Sequence, residues 1–158
     1  MILTTEMHAA IDNAVLCWVA SVSPEGVPNV SPKEVFVSSK DSILVAHIAS
    51  PKTVRNIAKN SKVMVSLVDI FEQTGWQFSG TASLVWPDSP EFPSSAEPLE
   101  KLTKGLYPIK AVLSITVSKV NRIVAPSSWL FPDESKEIIR KRVLERYGVE
   151  EVTSGNTT

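Results

Sequence analysis

Cysteine is almost absent from this 158-residue sequence, Cys17 being the single example. No internal disulfide and no cysteine-rich metal site can form. Histidine is nearly as scarce, with His8 and His47 alone, so neither a metal centre nor a cysteine–histidine nucleophilic pair is expected. Cys17 lies in the apolar run Ala14 to Ala20 and reads as a buried core thiol. Net charge is missing too: 16 basic against 17 acidic residues leave −1, which gives no general pull toward nucleic acid or an anionic membrane. No apolar stretch is long enough to span a bilayer. The start, Met1 to His8, lacks the basic head and apolar run of a secretory signal, so a cytoplasmic location is expected. No G-x-G-x-x-G or Walker-type loop occurs, which excludes Rossmann and P-loop handling of a nucleotide.

What is present is a series of short strand-like segments separated by turn chemistry. An apolar share of 43% and a charged share of 21% are those of an ordinary globular protein. Met7, Ala10, Ile11 and Ala14 recur at helical spacing behind Thr4 or Thr5 as caps. Six strands are predicted: Val15 to Val22, Val27 to Val37, Ile43 to Ile48, Val63 to Val68, Trp76 to Trp86 and Ala111 to Val120. The turn Ser23 to Gly26 makes the first two a hairpin, and a loop containing Gly75 joins the fourth and fifth. Trp76, Phe78, Ala82 and Leu84 share one strand face, and Gly80 in that row marks a bulge or a close backbone approach. Further helices are expected from Pro51 to about Asn60, from Ala96 to Lys104, and from an Asp133 cap to about Tyr147. Many strands with few helices between them predict a mainly β fold, a closed or nearly closed antiparallel barrel. Residues 1–150 read as a single domain and 151–158 as a flexible C-terminal tail.

Two segments stand out chemically. In Pro28 to Lys33 the strand period places Asn29, Ser31 and Lys33 on one face: an amide, a hydroxyl and a cation in a row. In Ser50 to Asn56, Ser50 is a candidate cap and Pro51 suits the first helical position. Lys52, Thr53 and Asn56 then fall in the first turns, where unpaired N–H groups favour an anion. Together they form a candidate site for a phosphorylated small molecule.

The runs Val19 to Lys33, Ile43-Leu-Val-Ala-His-Ile48, Lys52-Thr53 with Asn56, and Gly75-Trp-Gln-Phe-Ser-Gly-Thr-Ala82 resemble the pyridoxamine 5'-phosphate oxidase-like group of FMN-binding split barrels. The resemblance implies a six-stranded antiparallel split β-barrel with a few peripheral helices, forming a homodimer with FMN at the subunit interface. It also implies cofactor contacts from Asn29, Val30, Ser31 and Lys33 on the strand, His47 and Ile48 beside the flavin ring, and Lys52 and Thr53 at the phosphate, with Asn56 on the same helix. Gln77 would reach the flavin from the partner subunit, and Trp129 would wall the ring from the second subunit. The chain departs from true pyridoxamine 5'-phosphate oxidases in lacking their arginine-rich C-terminal segment, so it resembles the small members of the group. The implied activity is that of an FMN-dependent oxidoreductase acting on a small-molecule substrate or electron donor, with no catalytic residue identified. Two alternatives stand beside it: a non-catalytic flavin-binding, electron-transfer or sensing module, and the same fold using a deazaflavin or haem.

Overall fold

The computed structural model describes residues 3–151. Seven strands are present: β1 (Cys17–Val22), β2 (Pro28–Lys33), β3 (Phe36–Ser39), β4 (Ser42–His47), β5 (Lys62–Asp69), β6 (Thr74–Val85) and β7 (Ala111–Val124). They pair antiparallel in one sheet of order β2-β1-β5-β6-β7-β4-β3. The two edges, β2 and β3, are consecutive in the chain and separated only by Glu34 and Val35. Three Cα steps span at most about 11 Å, so the sheet has to curl until its edges approach each other, giving a mainly β half-barrel. Seven strands stand where six were expected because the segment Val27 to Val37 is broken by this bend. Its two halves join opposite edges, and the Val35 carbonyl accepts from Ala46 N at 2.9 Å.

The inner face follows the period of two. Cys17 and Val19 on β1, Ile43 and Val45 on β4, Val63, Val65 and Leu67 on β5, Phe78 and Ala82 on β6, and Leu113, Ile115 and Val117 on β7 form one buried cluster. Fully burying each large side chain contributes about 1.5–3 kcal/mol. Helix α1 (Thr5–Asn13) closes the cluster with Ile11. Its start is set by Thr4, whose Oγ1 accepts from Met7 N at 3.3 Å. On the other side of β4 and β7, helix α3 (Phe92–Thr103) packs Ala96 and Leu99 on Leu44, Ala46 and Val112. It begins four residues before the expected Ala96, with proline in its first turn, a position that needs no N–H partner.

Two glycines hold the sheet's close approaches. The β6–β7 register shifts between Ser79 and Gly80, and a Cβ on Gly80 would lie 2.3 Å from the Thr116 carbonyl oxygen. Both the bulge and the close approach expected there are therefore found. Gly75, expected in a loop, lies inside β6 opposite Val68, where a Cβ would stand 2.1 Å from the Leu67 oxygen. The hairpin turn falls earlier, organised by Asp69 Oδ1 accepting from Phe71 N and Glu72 N at 2.8 and 3.0 Å.

Helix α2 (Pro51–Ile57) is shorter than predicted and packs over β1, β2 and β6. A four-residue helix α4 (Ser127–Leu130) and helix α5 (Lys136–Tyr147) follow β7. α5 is capped by Ser135, accepting from Ile138 N, and not by Asp133, which stands two residues too early. Among the described residues no helix is long and apolar enough to cross a membrane. Of the expected tail, residues 152–158 lie outside the described residues.

Candidate functional site

The register of β1 with β2 builds the site. Ser21 faces Asn29, Val19 faces Ser31 and Cys17 faces Lys33. The predicted polar row therefore lies on the inner face, beside the first strand of the core and beneath α2. Asn29 and Ser31 are half-buried, while Lys33, Thr53 and Asn56 are buried. Their side chains form a seam with two hydrogen-bonded knots.

The first knot centres on Ser21. Its Oγ accepts from Asn29 Nδ2 at 3.3 Å and from Asn56 Nδ2 at 3.1 Å. Asn29 Nδ2 also donates to Thr53 Oγ1 at 3.4 Å. These bonds fasten α2 to the β1–β2 edge, because an amide or hydroxyl left unpaired there would cost about 1–3 kcal/mol. The second knot centres on Lys33, whose Nζ donates to Ser31 Oγ at 2.8 Å and to Ser50 Oγ. Ser50 caps nothing with its side chain. Its hydroxyl is spent on Lys33, and its N–H donates to His47 Nδ1 at 3.4 Å.

The electrostatics of the second knot are one-sided. Lys33 is 5% exposed, and among the described residues it has no carboxylate within ion-pair distance. None of β1, β2, β4, β7 or α2 contains an acidic residue. Two of the three ammonium protons are taken by neutral hydroxyls, which leaves one. Burial holds Lys33 below the usual lysine range, against a smaller opposing pull from Cys17. Cys17 itself is pushed up to about 12 by burial, with Lys33 drawing it down, so it is a neutral thiol and no counter-ion. His47, 8% exposed at the inner end of β4, is held below the ordinary imidazole value by burial first and then by the charges of Lys33 and Lys110.

Asn29, Ser31, Lys33, His47, Thr53 and Asn56 are thus brought into one seam. Thr53 is inside it, not on the open first turn where the sequence suggests a ligand-facing hydroxyl. Lys52 stands exposed at the start of α2. Val30 points the other way, 57% exposed. It lines a groove of about 370 Å³ on the outer sheet face with Ala20, Val22, Pro28 and Met64, and Asn29 reaches its rim. Ile48 packs with the cluster under α3. Gln77 lies on β6 between Ser66 and Asn121, and Trp129 on α4 is 74% exposed; neither joins the seam. Ser21 was not foreseen. Its signal is a single hydroxyl at an inward position of an apolar strand, and it acquires meaning only once the register sets it against Asn29.

A family model described as Pyridoxamine 5'-phosphate oxidase matches residues 3–126. Among solved structures, HupZ of Group A Streptococcus is 28% identical, with a TM-score of 0.63 over 75% of this chain and 91% of that one. An FMN-binding protein from Syntrophomonas wolfei subsp. wolfei shares the fold at 17% identity and TM-score 0.64, over 75% of this chain and 84% of that one. HutZ, the haem storage protein from Vibrio cholerae, does so at 20% identity and TM-score 0.60, over 78% and 95%. No curated protein matches the sequence.

Proposed function

The chain belongs to the pyridoxamine 5'-phosphate oxidase family, and from that premise we propose that it is an FMN-binding oxidoreductase whose flavin phosphate is held at Lys33. The observation that carries the reading is the buried ammonium with neutral partners only. A cation taken out of water without a counter-charge is destabilising, and a phosphate supplies that charge. Ser31 and Ser50 turn their hydroxyls to the same point and can donate to an anion as readily as they accept from lysine. Charge-assisted bonds of this kind contribute about 1.5–3 kcal/mol each. Lys52 is exposed at the start of α2, outside this hydrogen-bonded knot. The Ser21 knot acts at one remove, fixing Asn29, Thr53 and Asn56 so that α2 and β2 keep their spacing.

FMN supplies the redox chemistry when bound, so the chain's own residues need only anchor, orient and enclose. The groove beside Val30 and the His47–Ile48 strand end are the surfaces assigned to the flavin ring. Gln77 and Trp129 contribute from a second copy. Trp18, Val30 and Val68, all exposed, give a symmetric dimer an apolar face to cover.

Purified protein is tested by its absorbance, by the cofactor it releases on denaturation, and by bleaching with NADPH or NADH. Yellow protein that releases FMN and bleaches with a nicotinamide donor is expected. A haem Soret band, or release of a deazaflavin, overturns the FMN assignment. Bound FMN that no donor bleaches overturns the oxidoreductase half and leaves a flavin-binding module.

A further inference from the structure

Lys33 and His47 meet through one residue. Ser50 donates its backbone N–H to His47 Nδ1, and its hydroxyl accepts from Lys33 Nζ. Nδ1 is an acceptor in that bond, so the imidazole is neutral and carries its proton on Nε2. The charged groups bearing on it are both cations: Lys33 from β2, and Lys110 ahead of β7, whose N–H donates to the His47 carbonyl at 2.9 Å. β4 and α2 carry no acid, and the Cys17 thiol of β1 is neutral.

We propose that the seam takes up a proton on His47 together with an anion at Lys33, so that a phosphate-bearing ligand is held by two cations instead of one. The proposal rests on reading Lys33 as the phosphate anchor. Burial is the larger cause of the neutral imidazole, and a negative charge beside Lys33 cancels the smaller part that comes from the two cations. Once protonated, Nδ1 no longer accepts from Ser50, and the freed Ser50 N–H can donate to the same anion. The proton comes from solvent, and no covalent bond forms or breaks. Ligands fully ionised at neutral pH, such as phosphate monoesters, are therefore selected over uncharged alcohols, and FMN affinity falls with rising pH by at most about tenfold per unit.

Calorimetric titration with FMN at pH 7.5, in two buffers of different ionisation enthalpy, counts the protons. A phosphate monoester has its second pKa near about 6, so it is already dianionic and any uptake belongs to the protein. A measurable fraction of a proton per FMN is expected for the wild type, and none for His47→Gln or for riboflavin. FMN binding without uptake, or uptake that persists in His47→Gln, overturns the proposal. The two imidazole NMR signals give a readout that needs no variant. FMN is expected to move the His47 titration to higher pH, and an unmoved His47 overturns the proposal. If FMN does not bind at all, the phosphate reading itself fails, and this inference with it.

Discussion

The inner wall of the sheet has two halves of opposite character. Across β5, β6 and β7 it is carried by Val63, Val65, Leu67, Phe78, Ile115 and Val117, buried and apolar throughout. Along the β1–β2 edge the same wall carries Ser21, Asn29, Ser31 and Lys33, and α2 adds Thr53 and Asn56. The first half is what a curled sheet needs in order to fold. The second is costlier, since every polar group it buries has to be matched and its one cation is matched only by hydroxyls. A stretch of wall that breaks the apolar rule without a stabilising return is expected where a ligand is handled. The contrast separates the part of the interior that holds the barrel together from the part proposed to take an anion.

The contrast can be broken most severely on the apolar side. Phe78→Ala is expected to cost about 3–5 kcal/mol, read as a large fall in melting temperature, with a cooperative transition retained if the seam folds with the barrel. Ser21→Ala strikes the first polar knot. It strips the shared acceptor from Asn29 and Asn56 and should cost about 1–3 kcal/mol, measured by urea unfolding. Lys33→Met should act in the opposite direction. Removing an uncompensated buried cation while keeping its volume should stabilise the ligand-free protein by about 1 kcal/mol, or about 2–4 °C in melting temperature. A loss of stability in Lys33→Met would mean that the second knot is structural like the first.

The smallest effect is that of pH. His47 titrates lower in the folded state than the ordinary 6.5, so below that value the unfolded chain binds the extra proton. Stability of the ligand-free protein should therefore be fully present above pH 6.5 and decline as pH falls toward the folded value. His47→Gln should flatten this acid-side decline in thermal melts taken between pH 7.5 and pH 5.

Much of this was legible without coordinates because it depends on local periods. The alternation of Asn29, Ser31 and Lys33 placed them on one face, and a glycine in the apolar row of β6 announced the bulge at Gly80. What could not be read was whatever depends on which strands meet. The break at Glu34 and Val35 has no proline or glycine to mark it and follows from the two halves pairing with β1 and β4 at opposite edges. Ser50 has the composition of a cap, but Lys33 claims its hydroxyl across a sequence separation of 17 residues. Thr53 and Asn56 read as first-turn residues open to ligand, yet α2 turns them onto Ser21 and Asn29. In each of these cases a tertiary partner outweighed the local preference.

Titrating FMN and riboflavin into wild-type protein and Lys33→Met shows whether the buried Lys33 is a phosphate anchor. Two flavins that differ only in the phosphate isolate its contribution. The wild type should bind FMN at least about tenfold more tightly than riboflavin, the equivalent of one charge-assisted bond, and Lys33→Met should bind the two alike. Equal affinities in the wild type, or a preference for FMN that survives in Lys33→Met, would contradict that role.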